Sequence, residues 1–147
     1  MPVFRHQVTI AAAPERVWRV LAEIERWPEW TPTMLRVEPL RPGPLEAGAQ
    51  VRIAQPRLRP AVWTVTDWRP RQGFVWVSRG PGVRVVAGHW IEPSPQGAAV
   101  TLEARFEGPL GILAGWLGGA PTRSYLATEA AGLKRRCEDA APARAST

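Results

Sequence analysis

The chain has 147 residues, 45% of them apolar, which is enough to bury one core without cross-links. Its single cysteine, Cys137, excludes an intrachain disulfide, and no Cys/His cluster has zinc-ligand spacing, so neither a metal nor another cofactor is expected. The formal net charge of +6 is carried by arginines spread from Arg5 to Arg144, with Lys134 the sole lysine. That spread argues against a focused nucleic-acid patch and leaves affinity for an anionic ligand or membrane surface open.

The first strand pattern is Val3 to Ile10, with Phe4, His6, Val8 and Ile10 on one face and Arg5, Gln7 and Thr9 on the other. No basic segment followed by a sustained apolar run opens the chain, and arginines interrupt the later apolar stretches. Neither a signal peptide nor a transmembrane helix is expected, and the expected location is the cytoplasm. Pro14 then suits the first position of a helix, because its missing N–H costs nothing there, and Glu15 complements the helix dipole. Val17, Trp18, Val20, Leu21 and Ile24 form its apolar stripe. Pro28 prevents a smooth continuation, so residues 25–32 should be a second short helix or a turn.

From Leu35 to Gly108 the pattern changes to six β-like runs: 35–40, 49–55, 61–68, 74–78, 84–92 and 98–107. Pro- and Gly-rich turns such as Gly80-Pro81-Gly82 and Pro93-Ser94-Pro95-Gln96-Gly97 separate them, so successive runs should be antiparallel neighbours. After Gly108 the chain turns helical over 109–117, is expected to break at Gly118-Gly119, and resumes from Pro121 to Glu138 with Leu126, Ala130, Leu133 and Cys137 inward. Residues 139–147 are expected to be a disordered tail, leaving one domain over 1–138. Seven antiparallel strands and one long terminal helix make a two-layer α+β domain in which a curved sheet wraps the helix and leaves space between the layers.

Two segments carry a family resemblance. The opening Val8-Thr9-Ile10-Ala11-Ala12-Ala13-Pro14-Glu15-Arg16-Val17-Trp18-Arg19-Val20-Leu21, followed by Trp27-Pro28-Glu29-Trp30-Thr31-Pro32, resembles the START-domain and polyketide-cyclase-like superfamily, SRPBCC. So does the end, with Gly108-Pro109-Leu110 ahead of a helix that contains Leu126 and the run Glu129 to Arg136. The resemblance spans about Val3 to Glu138 and implies the helix-grip fold. It also implies a role among the lipid and sterol carriers, polyketide aromatases and cyclases, or small ligand binders of that superfamily.

Strand alternation selects the side chains that enter the space under the helix. Trp63, Val65 and Asp67 should face in, as should Phe74, Trp76 and Ser78; His89 follows on the next strand and Phe106 on the last. Trp63, Trp76 and Phe106 offer broad rigid walls, and His89 a polar anchor. Trp116 in its glycine-flanked segment, Tyr125 and Leu126 complete the candidate ligand-binding set, while Trp18 and Trp27 read as core. The leading expectation is a binder or carrier of a lipid-, quinone- or polyketide-like molecule. It comes with no nucleic-acid partner, no stable membrane insertion, and a monomeric or homodimeric state. The alternative is a cyclase or dehydratase that uses His89 or His6 as acid or base beside Asp67. A third reading, a ligand-free interaction module, requires a filled core and an exposed apolar patch.

Overall fold

The computed structural model describes residues 2–145, with side chains through Asp139. In chain order it forms β1 (Val3–Ile10), α1 (Pro14–Ala22), a 3-10 helix (Ile24–Glu29), β2 (Arg36–Pro39), β3 (Gln50–Ala54) and β4 (Ala61–Arg69). Then come β5 (Gly73–Gly80), β6 (Val83–Ser94), β7 (Gly97–Glu107) and α2 (Gly111–Ala145). The seven strands make one antiparallel sheet in the order β1-β7-β6-β5-β4-β3-β2. Each step from β2 to β7 is a hairpin neighbour, as the short turns require, and β1 closes on β7. This is the helix-grip arrangement that the resemblance implies.

The inner face of the sheet follows the alternation of the sequence. In β1 exposure alternates residue by residue, with Phe4, His6 and Val8 half-buried and Ile10 fully buried. Register then aligns whole rows across the sheet. His6 pairs with Leu102, Leu102 with His89, and His89 with Phe74. The next row runs from Phe4 through Ala104 and Ala87 to Trp76.

The alternation fails once, in β4. The register shifts between Val65 and Asp67, so two residues of β4 oppose one of β5 and the side-chain parity flips. Trp68 therefore packs into the core beside Phe74, with ring centroids 5.2 Å apart. Asp67, expected on the inner face, instead pairs with Arg69 at 3.1 Å on the other side.

One end of the layered space is packed solid. Trp27 is completely buried, donates its ring N–H to the Leu21 carbonyl at 3.0 Å, and meets Trp30, Phe74 and Trp76 at 5.2, 6.1 and 5.3 Å. Leu133, Ala130 and Cys137 of α2 are equally buried against it. Gly132 lets the helix approach so closely that a Cβ there would stand 2.0 Å from the Trp30 carbonyl oxygen. Polar contacts tie the same end down: Lys134 donates to the Thr9 carbonyl at 3.0 Å, and Glu138 accepts from the Ala11 N–H at 2.8 Å.

Helix α2 departs from expectation in two ways. It runs unbroken through Gly118-Gly119 and Pro121, because packing against β1 and β7 overrides the weak local propensity of glycine. It also continues past Glu138 to Ala145; the last two residues of the expected tail lie outside the described residues.

Candidate functional site

Beside the packed end lies a cavity of about 390 Å³ between the sheet and the middle of α2. Its floor is low where Ala87 and Ala104 pair across β6 and β7, and the roof above starts with Gly118, Pro121 and Thr122 of α2. Small residues facing small residues leave room that a close-packed interior would otherwise fill. Larger rings bound this room. Trp63 and Trp76, 6.1 Å apart, stand on one side and Phe106 on the other. Met34 and Ile53 close the side towards β2 and β3, and Tyr125, Leu126 and Glu129 continue the roof.

Six of the seven ligand-binding candidates thus meet in one place: Trp63, Trp76, His89, Phe106, Tyr125 and Leu126. Trp116 does not join them. It is 82% exposed on the outer face of α2, because Gly115 and Gly119 take the inward positions of that segment. Of the residues named for acid–base chemistry, only His89 lines the cavity. His6 is half-buried on β1 with Leu102 standing between it and His89, and Asp67 is turned away by the bulge in β4.

His89 is held in an aromatic box. Phe74 stacks on it with centroids 4.3 Å apart and an angle of 18°, and Trp27 and Trp76 meet it edge-on at 5.4 and 5.5 Å. Its Nδ1 lies 3.3 Å from the Phe74 carbonyl oxygen, which can only accept, so Nδ1 carries the proton and Nε2 is left as an acceptor. Burial lowers the imidazole to about 4, against a smaller opposing pull from that hydrogen bond. His89 is therefore neutral at pH 7. Its position depends on Gly73, whose φ of +145° brings the chain so close that a Cβ would sit 2.1 Å from the His89 carbonyl oxygen.

Glu129 is the residue that sequence reasoning missed. It is 7% exposed, lines the cavity, and has no hydrogen bond or ion pair among the described residues. Burial alone pushes its carboxyl up to about 8, so at pH 7 it is a neutral acid with an O–H to donate. The signal is present in the spacing Thr122, Tyr125, Leu126, Glu129, which is i, i+3, i+4, i+7 and marks one helical face. A carboxylate on a helix ordinarily reads as the solvent side, and the buried stripe counted from Leu126 passes it by. Tyr125 has a separate task. Its hydroxyl donates to the Pro56 carbonyl at 3.0 Å and straps α2 to the loop after β3. Gln55 likewise donates to the Thr33 carbonyl at 3.2 Å and fixes the rim.

Cys137 is buried at the packed end with its thiol pushed up to about 11, which makes it an apolar filler rather than a nucleophile. Among the described residues no group of His, Cys, Asp and Glu could hold a metal ion. No described helix is long and apolar enough to cross a membrane.

The model of the family described as polyketide cyclase / dehydrase and lipid transport matches residues 1–138. The chain belongs to that family. No curated protein matches it in sequence. Among solved structures, TTHA0849 from Thermus thermophilus is similar with a TM-score of 0.74 and 20% identity, over 95% of this chain and 99% of that one. The hypothetical protein jhp0584 from Helicobacter pylori gives a TM-score of 0.78 at 9% identity, over 92% and 87%. The di-domain ARO/CYC StfQ from the steffimycin biosynthetic pathway gives 0.73 at 14% identity, over 95% of this chain and 51% of that chain. At these identities the likeness establishes a shared fold, and the family's range of roles leaves the site itself to be read from its chemistry.

Proposed function

We propose that this protein binds a hydrophobic small molecule bearing a carbonyl or hydroxyl oxygen in the cavity between the sheet and α2. The observation that carries this reading is the buried, unpartnered carboxyl of Glu129 in an otherwise aromatic and aliphatic cavity. The carboxyl oxygens open onto the cavity rather than into the packed interior, so whatever fills that space supplies their hydrogen-bond partner, and a ligand oxygen that accepts the carboxyl proton fits that role. His89 Nε2 offers the complementary acceptor for a hydroxyl, and Trp63, Trp76 and Phe106 receive the apolar body. The volume falls within the range of small-molecule sites, about 300–1,000 Å³.

The test uses tryptophan fluorescence, since Trp63 and Trp76 line the cavity. The non-ionising probe 2-methyl-1,4-naphthoquinone should quench the wild type, and its affinity should fall as pH rises past about 8, where Glu129 loses its proton. Glu129→Gln retains an N–H donor and should bind with a flat pH profile. Absence of quenching, together with native mass spectra that show only empty protein purified from its own host, would count against the reading.

The same pair of groups favours a second reading, cyclisation or dehydration of a poly-β-keto chain. Environments that drive a carboxyl up to about 8 and an imidazole down to about 4 in one cavity separate an acid from a base. Glu129, rather than histidine, is then the proton donor to the substrate oxygen. Turnover of a poly-β-keto thioester that disappears in Glu129→Gln, with probe binding retained, would select catalysis over carriage. The ligand-free module is disfavoured by the open cavity, although the exposed apolar patch it requires does exist on α2.

A further inference from the structure

That patch results from an inversion of the first turns of α2. Gly111, Gly115 and Gly119 recur at four-residue intervals and face the sheet. A Cβ at these positions would lie 2.9 Å from the Phe106 carbonyl oxygen, 2.4 Å from the Pro2 ring and 3.4 Å from the Phe4 ring. With glycine inward, every large apolar residue of the segment is directed outward. Ile112 is 71% exposed, Leu113 53%, Trp116 82% and Leu117 69%, at positions i, i+1, i+4 and i+5 of one helical face, and Leu110 extends the face at 50%. Scattered exposed apolar residues need no explanation, but a contiguous group built on this geometry does.

The helical segment itself carries charge of one sign. From Gly108 to Thr128 the chain contains no Asp or Glu, and Arg123 follows Trp116 by two turns on the same side, its guanidinium 4.9 Å over the Phe4 ring. The turn joining β5 and β6 abuts the start of the helix, with the Gly82 carbonyl accepting the Leu110 N–H at 2.7 Å. Arg79 and Arg84 are cross-strand partners at that turn. Glu107 neutralises Arg84, whereas Arg79 has no ion pair among the described residues.

We propose that this face docks on an anionic lipid surface. Trp116, Ile112 and Leu117 enter the boundary between headgroups and acyl chains, and Arg79 and Arg123 lie against lipid phosphates. Apolar burial combined with basic side chains is the pair of attractions that holds an amphipathic segment in a membrane interface without spanning it. A protein partner fits the face less well, because its apolar residues offer only the Trp116 indole N–H to fix a partner's orientation, whereas the flanking Arg79 and Arg123 suit an anionic surface. A second copy would bring a further net charge of +6 against it. Docking does not rest on the ligand-binding reading. If both hold, they connect, since Gly118, Pro121 and Thr122 of the same segment form the cavity wall, and an apolar ligand could pass between bilayer and cavity without crossing water.

The experiment is flotation of the full chain with vesicles of phosphatidylcholine alone or with added phosphatidylglycerol. The wild type should float with the anionic vesicles and bind less as salt is raised. The double variant Trp116→Ser/Leu117→Ser should bind about tenfold less or weaker still, with unchanged circular dichroism and melting temperature. Glu129→Gln should float like the wild type, which separates this claim from that of the cavity. A wild type that stays unbound to anionic vesicles overturns the proposal, as does a double variant that floats equally well. So does a concentration-dependent dimer abolished by Trp116→Ser in the absence of flotation, which would assign the face to self-association.

Discussion

The two halves of α2 have opposite amphipathicity. From Leu126 to Cys137 the helix directs Leu126, Ala130, Leu133 and Cys137 inward and keeps its basic side chains outside. From Gly111 to Gly119 it directs glycines inward and Ile112, Leu113, Trp116 and Leu117 outward. The first arrangement is what a core requires. The second forfeits burial of four large side chains and is consistent with selection for what that surface touches rather than for stability. Between them, where Thr122, Tyr125, Leu126 and Glu129 face the sheet, neither pattern holds and the cavity lies.

Truncation of leucines should separate the halves most strongly. Leu133 is fully buried, so Leu133→Ala should destabilise by about 2–5 kcal/mol in chemical denaturation. Leu117→Ala, at 69% exposure, should stay within about 0.5 kcal/mol of wild type. A comparable loss at both positions would mean that the N-terminal half is covered in solution.

Glycine substitution sharpens the comparison at a smaller scale. Gly132→Ala places a Cβ against the fixed Trp30 backbone and should cost about 1–3 kcal/mol, read as a lowered midpoint of unfolding. At Gly115 a Cβ would stand 2.4 Å from the Pro2 ring, whose backbone carbonyl accepts the Phe106 N–H at 3.1 Å, so the ring can move only with its strand. The helix propensity gained by alanine, about 1 kcal/mol, offsets part of that clash, and Gly115→Ala should cost less than Gly132→Ala.

This contrast also explains what the sequence discloses. The seven strands are legible because alternation and Gly/Pro turns reinforce each other, and six cavity residues follow from parity together with the inward face of the helix. Asp67 escapes the parity rule because a single inserted residue in β4 flips the faces without leaving a mark in the apolar pattern. Gly118-Gly119 reads as a break because local propensity cannot register that the sheet supports the helix there. Counting Trp116 in the ligand-binding set assumes that large apolar residues face inward, which the glycine positions reverse. Glu129 goes unread although its spacing marks the cavity face, because a carboxylate on a helix is normally solvated, and the packed structure shows that this one is buried.

The junction between the halves makes the last and subtlest prediction, the dependence of stability on pH. Glu129 has its folded value raised from 4.5 to about 8. Between those limits the folded state holds a proton that the unfolded state has lost, so stability declines as pH rises, and above about 8 the loss is complete. His89 has its folded value lowered from 6.5 to about 4. Between these limits the unfolded state holds the extra proton, so stability declines as pH falls. The two slopes oppose each other from about pH 4.5 to 6.5 and nearly cancel, leaving Glu129 alone from about 6.5 to 8. Over that window the wild type should lose about 2 kcal/mol, at roughly 1.4 kcal/mol per pH unit. Glu129→Gln should hold its stability over the same window and, with the opposing slope removed, lose stability from about pH 6.5 down to 4 through His89. A wild-type profile that is flat between pH 6.5 and 8 would place Glu129 in contact with water and remove the basis for a neutral donor in the cavity.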